Sequence, residues 1–142
     1  RQMCIRDRTR RLIESTNDNV KLLIDTGHML FAGGNSIKIT EDFIERIIHV
    51  HCKDIRKDVL EQSLKNDSTF RQAFLDGAFT VTGDGCIDYK PLLTLLKNKD
   101  YSGWLVVEAE QDPVKANPFE YAKIGYNYLS KTARECGFNI IS

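Results

Sequence analysis

Ionisable side chains gather at the same place in three short apolar runs of this chain. Val20 to Asp25 (VKLLID) ends in a carboxylate, and Ile47 to Lys53 (IIHVHCK) carries His49, His51 and Lys53 two apart. Trp104 to Ala109 (WLVVEA) carries Glu108, and Glu110 follows two residues later. Apolar runs of this length read as strands. Side chains two apart on a strand share a face, about 6.6 Å from each other. Parity therefore puts Ile47, His49, His51 and Lys53 on one face, and Ile48, Val50 and Cys52 on the other. Trp104, Val106, Glu108 and Glu110 share a face of the third strand, as Leu23 and Asp25 do on the first. The ionisable groups sit at C-terminal strand ends, where open α/β sheets and barrels build their sites.

An Asp, a His and a Glu offer mixed nitrogen and oxygen donors, which suit Mn2+, Co2+ or Zn2+. Ligation without cysteine leans towards Mn2+ or Co2+. An ion so held keeps open positions for substrate oxygens and serves as a Lewis acid. Plainer roles stand beside these. Asp25 in Asp-Thr-Gly can be a turn residue, His49 a hydrogen-bonded core histidine, His28 a loop histidine and Glu110 a solvated rim group. Lys53 and Asp54 can be an exposed pair. Glu108 follows Leu-Val-Val with no opposite charge beside it. A carboxylate buried alone costs several kcal/mol unless a cation compensates it, which favours function there. Cys52 falls on the strand face away from His51 and reads as a packing residue.

The elements that must position these groups alternate between helix and strand. Residues 9–16 read as the end of a helix, and Asn17-Asp18-Asn19 as a turn. Thr40 is expected to cap a short helix through about Arg46. Residues 57–76 are helical in character, broken near Asn66-Asp67-Ser68 and stopped by Gly77. Phe79 to Asp88 reads as a loop around Gly-Asp-Gly, and Asp88 leads into a helix bearing Leu92, Leu93, Leu95 and Leu96. The last helix has Asn117 as N-cap, Pro118 at its first position and Glu120 in a capping box. Phe119, Ala122, Tyr126, Leu129 and Ala133 are its expected buried stripe. Strands separated by helices mean β-α-β units and a parallel sheet. Three such strands keep two open edges, which suggests a piece of a larger α/β fold.

The 142 residues give room for one core. Twenty basic residues balance twenty acidic ones, which removes the usual electrostatic case for nucleic acid or an anionic membrane surface. No apolar run nears the roughly 20 residues that span a bilayer. The four cysteines lack C-x-x-C spacing, so a zinc ribbon is excluded and a reducing cytoplasm is the expected compartment. Residues 1–8 (RQMCIRDR) show no strand or helix period and are read as a non-native junction or artefact outside the fold.

LLIDTGHMLFAGG at 22–34, IIHVHCKDIR at 47–56, FTVTGDGCIDY at 79–89 and YSGWLVVEAEQDP at 101–113 follow in order. Together they resemble the C-terminal half of the inosose dehydratase family, within the xylose-isomerase-like TIM-barrel superfamily of sugar isomerases and epimerases. The resemblance covers about Thr9 to Ser130. Thr82 departs from it, standing where a proline is expected before Gly-Asp-Gly. It implies that residues 9–142 are the C-terminal portion of one (β/α)8 barrel, with the three strands as its sixth, seventh and eighth. It implies Asp25, His51 and Glu108 as metal ligands, His28 as a substrate-hydroxyl contact, and Glu108 and His28 as catalytic groups. His49, Lys53 and Glu110 are candidate substrate-lining residues from strand parity alone.

The implied reaction is hydro-lyase chemistry: scyllo-inosose (2-keto-myo-inositol) loses water to give a trihydroxycyclohexane-dione, with Mn2+ or Co2+ as cofactor. The partner is a small cyclic polyol ketone, not nucleic acid or membrane; homo-oligomerisation is left open. The fragment alone is expected to be inactive. Another isomerase or epimerase of the superfamily remains an alternative, as does a metal phosphodiesterase resembling AP endonucleases. Neutral charge counts against the latter. An aspartic protease built on Leu-Ile-Asp-Thr-Gly would require an all-β fold, against the alternating pattern.

Overall fold

The computed structural model describes residues 2–141, with side chains from residue 8 onward. The first helix, α1, runs Gln2–Glu14. It begins seven residues ahead of the expected Thr9, so residues 2–8 are helical, although their sequence showed no amphipathic period. Arg46 anchors the segment between this helix and the first strand. Its buried guanidinium donates to the carbonyls of Ile13, Thr16 and Val20, tying that loop to the start of the second strand.

Strand β1 (Leu22–Asp25) passes directly into helix α2 (Thr26–Phe31), with Asp25 as N-cap accepting the His28 N–H. Helix α3 (Ser36–Phe43) starts at Asn35, whose side chain accepts the Lys38 N–H. The expected cap, Thr40, is instead buried within this helix and donates to the Ser36 carbonyl. A 3-10 turn (Ile44–Arg46) leads into β2 (Ile47–Ile55), two residues longer than read from the sequence. Helices α4 (Lys57–Lys65) and α5 (Phe70–Leu75) follow, with Asp67 between them in the left-handed region.

Phe79–Val81, expected as loop, forms a short strand β3. It pairs antiparallel with Lys53 to Ile55, the extension of β2. Alternation was too short there to reveal a strand; the pairing is supplied by β2. Helix α6 (Tyr89–Asn98), capped by Asp88, precedes β4 (Trp104–Val107), and α7 (Pro118–Glu135) closes the described chain. Asn117 accepts the N–H groups of Phe119 and Glu120, as its N-cap position requires.

Strands β1, β2 and β4 are parallel, with β2 in the middle. An all-β protease fold is excluded. Ile24, Val50 and Cys52 point from the sheet into a core closed by Ile39, Leu92, Leu93, Leu96, Leu129 and Ala133 from α3, α6 and α7. Burial of this set is the main stabilising term. The expected α7 stripe holds at Leu129 and Ala133, which are buried, but Phe119, Ala122 and Tyr126 are exposed, and Gly125 and Thr132 are buried in their stead. Gly125 decides the rotation. A Cβ there would meet Val107 and Val81 side chains, so only glycine lets the helix lie this close to β4 and β3. Thr82 donates to the Gly125 carbonyl at 3.0 Å, a bond the expected proline could not make. On the opposite sheet face, Leu23 and Trp104 remain exposed.

Candidate metal centre

Register brings the site together. Asp25 lies opposite His51 across β1 and β2, and His51 lies opposite Val106 across β2 and β4. The Glu108 N–H reaches the Cys52 carbonyl, so the residue after β4 still follows the strand line. Ligating atoms of Asp25, His51 and Glu108 all lie within 4.8 Å of one another. His51 Nδ1 is 3.7 Å from Asp25 Oδ2 and 2.6 Å from Glu108 Oε2. Glu108 Oε2 is nevertheless buried without a hydrogen-bond partner. Its approach to the imidazole is thus not aligned for an N–H···O bond. A buried carboxylate oxygen of this kind is costly unless a cation meets it.

Lys53 is fully buried beside the triad. Its Nζ lies 3.2 Å from Asp25 Oδ2, 3.1 Å from Glu108 Oε1 and 3.3 Å from Glu110 Oε2. Burial, the largest single influence, pulls the Lys53 pKa down. Attraction to Asp25 and hydrogen bonds to Glu108 and Asp25 outweigh it, and the net direction is upward from 10.5. Three carboxylates around one ammonium leave a formal charge of −2 when the imidazoles are neutral, which a divalent cation would balance. The orphaned Oε2, the mixed donors and this charge fit a divalent ion held by Asp25, His51 and Glu108.

His28 stands at the open side. Its Nε2 is 2.9 Å from Glu110 Oε2, its Nδ1 3.5 Å from Asp25 Oδ2, and Phe79 and Phe70 pack against its ring. His49 lies a layer below, its ring centroid 5.3 Å from that of His51. The structure therefore gathers Asp25, His28, His51, Lys53, Glu108 and Glu110, with His49 at the margin. Lys53 and Asp54 are not an exposed pair: both are fully buried. Asp54 turns away to accept the N–H groups of Ile55, Gly83 and Ile87, holding the Gly-Asp-Gly loop. Burial of Cys52 pushes its thiol well above the usual range, with the Asp25 charge acting the same way, so it is inert packing.

Two supporting residues were not singled out from the sequence. Thr26 Oγ1 donates to the Lys53 carbonyl at 2.7 Å and accepts the Lys53 N–H at 3.1 Å; the Tyr89 hydroxyl reaches the same carbonyl. Together they clamp β1 to the working end of β2. The only sequence signal is a hydroxyl residue directly after Asp25.

Comparison with known proteins agrees with this architecture. Residues 5–132 match the family described as xylose isomerase-like TIM barrel, and the chain belongs to that family. Curated relatives include an inosose dehydratase of Histophilus somni, 46% identical over 85% of this chain, and inosose dehydratase 1 of Bacillus cereus, 48% identical over 87%. The rhizopine catabolism protein MocC of Rhizobium meliloti is 46% identical over 93% of the chain. Each match takes in 41–42% of the relative, so the chain spans about two fifths of their length. Among the described residues, no helix is long and apolar enough to cross a membrane.

Proposed function

We propose that this chain carries the metal-binding strand ends of a hydro-lyase that dehydrates scyllo-inosose, and that its three parallel strands are the last three of a (β/α)8 barrel. The observation that carries the reading is the convergence of one donor from each strand end, Asp25, His51 and Glu108, around an orphaned carboxylate oxygen. Similarity to inosose dehydratases supplies the substrate. Asp25, His51 and Glu108 would hold Mn2+ or Co2+. When bound, the ion supplies Lewis acidity to the ketone and an adjacent hydroxyl of the substrate.

The side chains divide the remaining work. Dehydration requires a base for the proton beside the ketone and an acid for the departing hydroxyl. His28 Nε2 and Glu110 Oε2 are close enough to share a proton and can deliver it at the open side of the site. In this reading Glu108 also exchanges a proton with the substrate. The Lys53 ammonium holds the carboxylates of Asp25, Glu108 and Glu110 in place. The neutral chain suits an uncharged polyol, which needs hydrogen-bonding groups and no basic pocket.

The test uses the intact protein from the full coding sequence. Dehydration of scyllo-inosose, followed with Mn2+ and with chelator, should be metal-dependent and should fall sharply in Glu108→Gln. Absence of any turnover in a folded, Mn2+-loaded protein overturns the substrate assignment. A related isomerase or epimerase reaction is the second reading, favoured by the match to the xylose isomerase-like TIM barrel family.

A further inference from the structure

Lys53 is held at both ends. Its backbone N–H and carbonyl are bonded by Thr26, and Tyr89 also donates to the carbonyl. Its aliphatic stem crosses Gly27, where an added Cβ would stand 2.8 Å from Lys53 Cγ. The ammonium is thereby delivered to one place, and there it distinguishes the two oxygens of Glu108. Oε1 lies 3.1 Å from Nζ, whereas Oε2 has no hydrogen-bond partner and faces His51 Nδ1. Asp25 is divided similarly: Oδ1 accepts the His28 N–H at 2.8 Å, and Oδ2 faces both Lys53 and His51.

We propose that Lys53 is a positioning residue that confines Glu108 to one-oxygen ligation through Oε2, and so makes the centre select Mn2+ over Ca2+. The inference rests on the metal reading above and adds to it the reason for selectivity. Ca2+ prefers six to eight oxygens and readily takes carboxylates through both oxygens. Oε1, drawn to Lys53, is turned from the point where Glu108 Oε2 and Asp25 Oδ2 meet His51 Nδ1, so Glu108 presents one oxygen there, and the His51 nitrogen is a poor donor for so hard an ion. Removing the ammonium frees Oε1, and Glu108 can then present two oxygens.

The experiment uses the intact protein stripped of metal. Mn2+ binding is followed by the electron paramagnetic resonance of free and bound Mn2+, with Ca2+ as competitor. In the unaltered protein Ca2+ should compete poorly. In Lys53→Met the ratio of Ca2+ to Mn2+ affinity should rise at least about tenfold, and the bound Mn2+ spectrum should change; the corresponding outer-shell losses at metal sites span about 10–100-fold. Gly27→Ala displaces the lysine stem without removing its charge. It should shift the ratio in the same direction, and it keeps the test valid if Lys53→Met does not fold. A change that scales both affinities equally, with the ratio and spectrum intact, assigns Lys53 a charge effect only and overturns the proposal. Equal ratios in all three folded proteins overturn it too. Failure of the unaltered protein to bind Mn2+ overturns the metal reading itself, and the selectivity proposal falls with it.

Discussion

Glu108 Oε2 and His51 Nδ1 lie 2.6 Å apart without forming a hydrogen bond. His51 lies in β2 and Glu108 one residue past its parallel neighbour β4, and the two atoms converge on the same point as Asp25 Oδ2. That relationship turns three polar residues into a candidate metal centre. Glu108→Gln removes the negative charge of the donor and leaves one neutral amide oxygen, a much weaker ligand. In the intact protein, Mn2+ affinity measured by chelator competition should fall by more than about 100-fold, beyond the usual range of outer-shell losses. The far-UV circular dichroism spectrum should be unchanged. Undiminished Mn2+ binding would remove Glu108 from the ligand set.

Asp54 is a structural counterpart to this site. It accepts three backbone N–H groups around Gly-Asp-Gly, and a Cβ on Gly85 would run into its carboxylate. Asp54→Ala leaves those donors unpaired. Each that stays buried costs about 1–3 kcal/mol, so a loss of about 3 kcal/mol in denaturant unfolding is expected. Gly85→Ala should be destabilising in the same assay. A neutral result for both would show that the loop is held by other contacts.

Acid should loosen the packing of α1 on α3. Asp42 accepts from Lys38 Nζ at 2.7 Å and from the Arg10 guanidinium, and these bonds, Lys38 first, hold its carboxyl below the ordinary 3.8. A lowered folded value favours the ionised, folded form. Its contribution is present above pH 3.8 and is lost as pH falls through the folded value. The stability difference between the unaltered protein and Asp42→Asn should therefore shrink on acidification below pH 3.8. A difference that stays constant there would contradict the pairing.

The 142-residue chain by itself should self-associate. Trp104 is 72% exposed and Leu23 46% exposed on the sheet face opposite the helices, and β1 and β4 each pair only with β2 among the described residues. Open strand edges beside apolar surface promote association. Light scattering after size-exclusion chromatography should report species larger than a monomer. Trp104→Lys should reduce them. A monodisperse monomer would show that these surfaces are tolerated in water.

Much of the site was legible in the sequence because strand parity is rigid. A period of two puts His51 and Lys53 on one face whatever surrounds them, and it puts Glu108 on the matching face of its own strand. Parity alone left open whether those faces meet. The sheet register, Asp25 opposite His51 and His51 opposite Val106, decided that. Capping chemistry was read correctly at Asn117 and wrongly at Thr40, because a threonine can satisfy its hydroxyl inside a helix as well as at its start. Hydrophobic spacing found Leu129 and Ala133 on the buried face of α7, but towards its start that face was settled by the close approach at Gly125. Lys53 and Asp54 show the division most plainly. As neighbours of opposite charge they can be an exposed pair, while strand parity also makes Lys53 a candidate lining residue. In the fold, their side chains leave a buried strand on opposite faces, one towards the candidate metal centre and one towards the Gly-Asp-Gly loop. Residue order determined the alternation of faces; burial and the partner each charge meets depend on chain segments distant in sequence, which only tertiary packing brings together.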